Sequence, residues 1–329
     1  MRKIVNIFGI GLGVLILASC KTNNITTSSN ELSTTTTTVV DDYELKITCP
    51  SGAPILSIAS AVSDFSGNID TENVGVDAST LPVAFQTGSA DLIIAPVNTG
   101  MKLYSLGKSN YKLAGVVTWG NTYLASTKEF VLDDITDTDL VLFGQNTVNS
   151  FAINYILEEK NITPKSVTYL GTAQNTQAQI SSDKICMTAE PMLSNAIKRI
   201  DEEVYYESIS DLYISLTEHK LPQAAIFVNP NTLVEHEQLV NQFLAMIDLV
   251  DEYSKTNPSK VRLDAIPLGL TIAEDICETA IPNSKIDYKK ASDAKDDLLF
   301  IASESKRYFN EGKIEQNYFG DVTDEFFYN

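Results

Sequence analysis

The sequence has little of what catalysis, metal binding or covalent cross-linking usually requires. It contains only 2 histidines, and its 4 cysteines include no Cys-x-x-Cys spacing. After Cys20 the remaining cysteines, Cys49, Cys186 and Cys277, are odd in number and far apart. This pattern excludes a zinc-ribbon type of site and argues against a disulfide framework. Cys186 and Cys277 lie in apolar runs and are predicted to be small core residues. We expect no metal and no cofactor.

Basic residues are also scarce. Lysine and arginine number 24 against 43 aspartate and glutamate residues, which gives a formal net charge of −19. A surface of this sign repels phosphate backbones, so nucleic acid is not an expected partner. The net charge says little about a cleft, because a local field can oppose the global one.

The start of the chain has no apolar run long enough for a membrane-spanning helix. Met1-Arg2-Lys3 precedes an apolar stretch from Ile4 to Leu17, followed by Ala18-Ser19-Cys20. This pattern predicts a secretory signal over residues 1–19. The Leu-Ala-Ser-Cys ending resembles the lipobox of bacterial lipoproteins, which implies acylation of Cys20 and attachment to the extracytoplasmic face of the cell membrane. The alternative is an ordinary secretory signal with a chance cysteine.

The next segment and the remaining chain differ sharply in composition. Residues 20–42 are rich in Asn, Ser and Thr and predict a disordered linker that follows the lipidated cysteine. The body that follows is too long for one small core and predicts two lobes. We expect lobe 1 to comprise residues 43–133 and 227–329, and lobe 2 to comprise residues 134–226.

A strand, a short polar turn and a helix recur along this body. In Ala90–Gly100 an apolar run ends at Pro96, and a helix can begin directly after the turn. An uninterrupted apolar run is typical of a buried parallel strand. The turn leaves peptide N–H groups exposed at a helix start, beyond the carboxyl end of the strand, where ligands bind in open α/β sheets. The repetition predicts an α/β fold built from βαβ units.

Other segments are read from periodicity and from turn residues. Lys112–Ser126 predicts a long strand broken at Trp119-Gly120-Asn121, where the glycine indicates a bend or a close approach. Leu233–Tyr253 and Lys289–Gly312 predict helices. The aromatic tail after them, which includes Phe319, Phe326 and Phe327, is expected to dock on a lobe.

The turns at the strand ends supply the candidate ligand contacts. From lobe 1 these are Ser51, Gly52, Ala53, Pro96, Val97, Asn98, Thr99 and Trp119, and from lobe 2 they are Gln145, Asn146, Thr147, Gly171, Thr172, Glu190 and Pro191. Amides, hydroxyls and helix N–H groups can orient a small polar ligand, and Trp119 or Tyr123 can cover its apolar face. Alternatives to ligand binding stay open for two of these candidates. Trp119 could instead fill space in the core or at the surface, and Ser51-Gly52 could be only a tight turn.

The make-up of these turns bears on the charge of the ligand. They contain no Arg or Lys, which argues against sulfate-like anions that need a charged clamp. Together with Glu190, this favours a neutral or weakly cationic organic ligand, although helix N-termini can bind anions without a cation. We expect the ligand to be gripped between Asn98-Thr99 and Asn146-Thr147.

Several stretches together resemble substrate-binding proteins of bacterial ABC importers, in the branch of aliphatic-sulfonate, nitrate, taurine and thiamine-precursor binders. Each motif is short, and the specificity lies in their order and spacing along most of residues 44–310. The stretches are 89–95 for a G-x-x-D strand, 119–125 for a crossing strand, 135–157 for the opening of the second lobe, 180–191 for an E-P segment and 227–260 for a helix ending in N-P. The sequence departs from the pattern at Ser182 and at Asp137-Thr138-Asp139.

This resemblance implies a two-lobed type II periplasmic binding protein, each lobe a mostly parallel sheet flanked by helices, with a ligand cleft between the lobes. It implies a monomer that captures a small organic molecule, such as a heterocyclic vitamin or precursor, by hinge closure. The partners it implies are that small-molecule ligand, the permease of an ABC importer, and the membrane through the lipid anchor.

Two other classes of function are weighed against transport. Related two-lobed proteins include thiamine-pyrimidine synthases, whose chemistry needs histidines, a lysine or reactive cysteines facing the cleft. Because His219 and His236 lie away from the predicted turns, we expect no enzyme activity. The third class is a surface lipoprotein that only binds host or neighbouring molecules. A closed apolar pocket among residues 51, 98, 119 and 145 would favour transport over that class.

Overall fold

A computed structural model describes residues 42–328 of the 329-residue chain. The predicted signal, Cys20 and nearly all of the predicted linker lie outside the described residues. Among the described helices, none combines the length and the apolar character needed to cross a bilayer.

The described chain alternates strands and helices, as the repeated strand-turn-helix pattern predicts. The strands are β1 (Glu44–Pro50), β2 (Asn68–Val76), β3 (Leu92–Pro96), β4 (Lys112–Thr118), β5 (Thr122–Ser126), β6 (Asp139–Phe143), β7 (Ser166–Leu170), β8 (Lys184–Ala189), β9 (Tyr205–Ser208), β10 (Ala224–Val228) and β11 (Ile286–Lys290). The helices are α1 (Ala59–Asp64), α2 (Leu81–Thr87), α3 (Val97–Ser105), α4 (Val148–Glu159), α5 (Ala173–Gln177), α6 (Met192–Arg199), α7 (Ile209–Thr217), α8 (Pro230–Thr256), α9 (Pro258–Ala265), α10 (Glu274–Asn283) and α11 (Ala291–Asn310). Short 3-10 turns lie at Ala53–Ser57, Ala78–Thr80, Leu132–Asp137 and Asp324–Phe326.

The strands form two mixed sheets. The first has 6 strands in the order β11-β4-β10-β3-β1-β2, and the second has 5 strands in the order β7-β6-β8-β5-β9. In the first, β1 is parallel to β2 and β3, while β10 is antiparallel to β3 and β4. In the second, β6 is parallel to β7 and β8, while β5 is antiparallel to β8 and β9. The predicted fold class, two α/β lobes, is confirmed. The expectation that each sheet is mostly parallel is wrong, because β5, β10 and β11 run antiparallel to their neighbours.

The chain passes between the sheets twice. It leaves the first sheet between β4 and β5, at Trp119-Gly120-Asn121, and it returns between α7 and β10. Gly120 has φ 84, and a Cβ there would lie 2.7 Å from Cβ of Ser210, so the bend requires glycine. The break predicted within Lys112–Ser126 is confirmed. These pairings lead us to propose lobe boundaries near 120 and 222, in place of those drawn near 133 and 226.

The last part of the chain contains a strand that its periodicity does not predict. The helix predicted from Lys289 begins at Ala291, because Ile286–Lys290 forms β11 against β4. The predicted docking of the tail is confirmed: Phe326 and Phe327 are buried, and Tyr328 N–H donates to Leu113 O at 2.8 Å.

Strand β3 shows why an uninterrupted apolar run marks a buried strand. Leu92 and Ile94 pack into one apolar cluster with α8, α9 and α10, whereas Ile93 and Ala95 pack into another with α4 and α11. Because successive side chains of a strand face opposite sides, both faces of β3 are covered. Cys49, Cys186 and Cys277 are free and buried, which confirms the core positions predicted for Cys186 and Cys277.

One buried carboxylate ties the beginning of the body to this strand. Asp91, only 5% exposed, precedes β3. Its oxygens accept from Tyr43 OH at 3.0 Å, from Lys46 N–H at 2.8 Å and from Thr232 Oγ1 at 2.5 Å. Three donors from two segments, the start of the body and the start of α8, therefore compensate the loss of hydration on burial.

Replacing this carboxylate should destabilise the fold. Asp91→Ala leaves several buried donors without an acceptor, and we expect the free energy of unfolding to fall by about 3 kcal/mol or more. Urea denaturation followed by circular dichroism measures the change. The matched control, Asp133→Ala at an exposed aspartate, should change it by less than about 0.5 kcal/mol. Equal effects of the two substitutions would contradict this role for Asp91.

Candidate functional site

A cavity of about 150 Å³ lies between the two sheets, where the carboxyl ends of β3, β4 and β6 meet. Residues from both sides of the two passages line it. They are Ala53, Pro54, Pro96, Thr118, Gln223 and Ala224 on the side of the first sheet, Phe143, Gly144, Thr147, Val148 and Asn149 on the side of the second, and Asn121 between them. This is the position at which open α/β sheets bind ligands.

The start of α4 forms one wall. Thr147 precedes the helix, its hydroxyl donates to Gly144 O at 2.6 Å, and its N–H donates to Ser150 Oγ at 3.2 Å. These bonds fix the turn between β6 and the helix. The N–H groups of Val148 and Asn149 belong to the first turn of α4, where helix geometry supplies no acceptor.

The Gln223 side chain connects the walls of the cavity. Its Nε2 donates to Asn121 Oδ1 at 2.8 Å and to Asn149 Oδ1 at 2.9 Å, and its Oε1 accepts from Asn121 N–H at 3.1 Å. The backbone takes part as well, because Gln223 N–H donates to Thr118 O at 2.9 Å and Val97 N–H donates to Gln223 O at 3.0 Å. Gln223 thus joins both passages between the sheets to the start of α4.

The predicted contacts are divided between the cavity and its surroundings. Ala53, Pro96 and Thr147 line the cavity. Gly52 and Val97 are chain neighbours of Ala53 and Pro96, Thr99 lies in the first turn of α3, and Pro191 is buried beside Glu190. Ser51, Gln145, Asn146, Gly171 and Thr172 are exposed, and Thr172 serves as the N-cap of α5. Within the described chain, residues 51, 98, 119 and 145 do not line a common pocket; the cavity lies among their near neighbours 53, 96, 121 and 147.

Two aromatic candidates make contacts inside the protein. Trp119 is 7% exposed, its Nε1–H donates to Asp287 O at 2.7 Å, and Lys220 Nζ lies 5.1 Å from the ring centroid. Tyr123 OH donates to Asn283 O at 2.7 Å, and burial raises the pKa of the phenol. Both rings connect the region of the first passage to the segment around β11, and neither lines the cavity.

Two polar candidates are buried next to the cleft. Asn98, 8% exposed at the start of α3, has an Oδ1 without a hydrogen-bond partner among the described residues. Glu190, 2% exposed at the end of β8, accepts from Ser194 N–H at 3.2 Å and from Ser194 Oγ at 3.0 Å. Burial raises the pKa of the Glu190 carboxyl, and the bonds from Ser194 and Asn283 oppose that rise.

The groups that a nucleophilic mechanism would use lie elsewhere. His219 Nδ1 is 3.0 Å from Asp297 Oδ1, and its ring stacks on Phe300. His236 stacks on Tyr43 at a kink in α8. Burial raises the pKa of Cys186 to about 12, which keeps it a thiol at neutral pH. All twelve residues that line the cavity have side chains without a formal charge.

The sequence reasoning missed the amides that organise the site. Gln223 stands at the start of a predicted strand, Asn149 lies within a predicted helix, and Asn121 lies in the predicted break. A polar residue directly before the apolar run 224–228 is the one signal that could have pointed to Gln223. Asn149 carries no such signal, because an asparagine near a helix start is usually read as a capping residue.

Glu190 makes the stability of the fold depend on pH. Its pKa is raised in the fold above the ordinary value of 4.5, so the folded state retains a proton that the unfolded chain has lost. The contribution of Glu190 to the free energy of unfolding should therefore be greatest at low pH and decline as pH rises from about 4.5 through the raised pKa. We expect the Glu190→Gln variant to lose this pH dependence and to have a higher free energy of unfolding than the unmodified chain at neutral pH. Urea denaturation of both proteins between pH 4 and 8 tests this prediction. If the free energy of unfolding of the variant and of the unmodified chain changed with pH in the same way, the prediction would be wrong.

Comparison with known proteins gives no matching protein-family model and no matching curated protein. Similar solved structures are found. An ABC transporter protein from Parabacteroides distasonis is 18% identical, covers 86% of this chain and 100% of its own, and superposes with a TM-score of 0.68. The periplasmic aliphatic sulphonate binding protein SsuA from Escherichia coli is 12% identical over 83% of this chain and 89% of its own, with a TM-score of 0.62.

A third structure, the alkanesulfonate-binding protein SsuA from Xanthomonas axonopodis pv. citri bound to MOPS, is 13% identical over 83% of this chain and 95% of its own, with a TM-score of 0.56. At such identities the likeness concerns the fold. It confirms the expected fold: this chain has the two-lobed α/β fold of these solved structures.

Proposed function

We propose that this protein is an extracytoplasmic solute-binding lipoprotein that captures a small organic molecule and delivers it to an ABC importer. The observation that carries the proposal is the cavity at the carboxyl ends of strands from both sheets, beside the two passages between them. A ligand there touches both lobes, so it can stabilise a closed form over an open one. The transporter would recognise that closed form, and the protein itself would catalyse no reaction.

The two passages are suited to serve as the hinge. Gly120 lies in the first with a positive φ, and Gln223 ends the second. Hinges are short connecting segments whose backbone angles absorb the motion of two rigid bodies. Each sheet is continuous within one body, so a rotation at the passages would open the cavity without breaking either sheet.

The ligand we propose is small and organic, and a heterocyclic vitamin or precursor is one such class. The lining supports this, because prolines, a phenylalanine and alanines provide apolar contact while amides and hydroxyls provide a few polar contacts. Ligand sites in proteins usually combine apolar walls with a small number of placed polar groups.

Extraction of the purified protein tests the proposal. The full chain, solubilised in mild detergent, should release a small molecule that mass spectrometry identifies, and the same compound should raise the Tm when added back. A ligand present at 100 times its Kd stabilises by about 2.7 kcal/mol. The screen should include vitamins, pyrimidines, sulfonates and amino acids. If no compound is released and none raises the Tm, the transport role is wrong.

A pair of variants gives the control for that screen. Ala53→Leu adds bulk at the cavity wall and should abolish the rise in Tm. Ala78→Leu adds the same bulk at the start of an exposed 3-10 turn and should preserve it.

Attachment to the membrane requires a separate test. We propose that Cys20 is acylated, and that this acylation, with the linker, holds the body at the extracytoplasmic face. Acyl chains contribute about 0.8 kcal/mol per buried methylene, and two chains suffice for stable anchoring. Cys20→Ser should therefore move the protein from the membrane fraction to the soluble fraction and abolish labelling with radioactive palmitate. Cys49→Ser, at a buried thiol, should leave both unchanged.

A further inference from the structure

We infer that the ligand is an uncharged molecule about one ring in size, and that a carbonyl-type oxygen of this molecule accepts a hydrogen bond from the Asn149 side-chain amide. This inference rests on the proposed function and specifies the ligand class for the same cavity. It depends on the orientation of three amides, on the apolar walls and on the charge of the lining.

The orientation of the amides follows from a backbone donor. Asn121 N–H can only donate, so the Gln223 atom 3.1 Å away must be the oxygen Oε1. Gln223 Nε2 therefore donates, both to Asn121 Oδ1 at 2.8 Å and to Asn149 Oδ1 at 2.9 Å. This fixes the flip of Asn149: its oxygen faces Gln223 and its NH₂ group faces away from Gln223.

The Asn149 NH₂ group is the side-chain donor left for a ligand. Asn121 Nδ2 is 3.4 Å from Glu190 O, and both N–H groups of Gln223 are used. The threonine hydroxyls of the lining are engaged within the protein. Thr118 Oγ1 accepts from Ala224 N–H at 3.1 Å and donates to Gln223 Oε1 at 3.5 Å, and Thr147 Oγ1 donates to Gly144 O at 2.6 Å. The first-turn N–H groups of α4 are also donors. A ligand that fits must therefore offer acceptors.

The charge of the lining opposes ions of either sign. No lysine, arginine or histidine is among the twelve described residues of the lining to pair with an anion, and the net charge of −19 makes the approach of an anion less favourable. No aspartate or glutamate side chain is among those twelve either, and the free donors would repel a cation. An ion that left water for this cavity would lose hydration without a counter-charge.

The size follows from the volume and the walls. A cavity of about 150 Å³ accommodates one benzene ring. Pro54 and Pro96 on the side of the first sheet provide apolar surfaces for such a ring, and so does Phe143 on the side of the second. Asn149 lies at the start of α4, also on the side of the second sheet. A planar ring with one carbonyl substituent would therefore contact both lobes at once.

Four isosteric probes test the inference on the full chain in detergent. Acetophenone, benzamide, benzoate and benzamidinium share one ring and one planar head group, and they differ in charge and in donors. We expect titration calorimetry or ligand-observed NMR to give a Kd for acetophenone and benzamide at least about tenfold lower than for the two ions, because an ion without a counter-charge in the site loses that much affinity. Benzoate or benzamidinium binding as tightly as benzamide would overturn the inference.

Asn149→Asp tests the contact itself. The substitution exchanges the NH₂ donor for an acceptor of the same shape, and an acidic residue near a helix start is favourable, so the variant should fold. We expect benzamide to lose about tenfold in affinity and benzamidinium to become the preferred probe. Asn154→Asp is the matched control on the same helix, where Nδ2 donates to Tyr169 OH at 3.1 Å. An unchanged order of probes in Asn149→Asp would remove this residue from the site.

The two proposals fail in different ways. If extraction recovers a charged ligand, or one larger than a single ring, the inference on ligand class is wrong and the solute-binding role stands. If neither extraction nor the probes give any bound molecule, both are wrong.

Discussion

The hydrogen bonds of Gln223 are the constraint on which the arrangement of the two lobes depends. Two backbone passages run side by side between the sheets, and each carries polar groups that are removed from water. Gln223 N–H donates to Thr118 O at 2.9 Å, and its side chain pairs with Asn121 and Asn149. Glu190 N–H donates to Asn121 O at 3.1 Å, which adds the end of β8 to the same network. A buried polar group is costly when unpaired, so these bonds favour one relative position of the strand ends.

That network also shapes the chemistry of the cavity. Because the amides satisfy one another, the cleft needs no charged residue to hold its walls together, and it remains a largely apolar space with few free polar groups. The charges that join the two halves lie at the periphery. Arg307 of α11 contacts Glu159 of α4 at 2.8 Å, and Lys285 contacts Asp211 at 3.5 Å. Such half-exposed pairs contribute little to stability, whereas packing of Phe151 against Tyr308 and Phe319 in the shared apolar cluster contributes more.

Local pattern predicted the elements well where burial alone decides them. The apolar run that ends at Pro96 is β3, and the break at Trp119-Gly120-Asn121 separates β4 from β5, because each is bounded by clear turn residues. The reading missed β9 and β11, which are only 4 and 5 residues long and become strands by pairing with β5 and β4. Of the candidate contacts, Ala53, Pro96 and Thr147 line the cavity, because strand ends are readable from sequence. The predicted ligand-binding roles stay predictions.

The sequence by itself determined the class of fold and the number of lobes, and it indicated the strand ends at which three of the predicted residues line the cavity. It could do so because apolar periodicity and helix starts are local properties. Only the tertiary structure decided which polar groups meet there. Gln223 and Asn149 are 74 residues apart, and Gln223 and Asn121 are 102 apart. No local pattern encodes such pairings, because they arise when two passages of the chain are brought side by side. The same holds for Trp119, whose indole reaches the backbone of Asp287, 168 residues away, instead of the cavity.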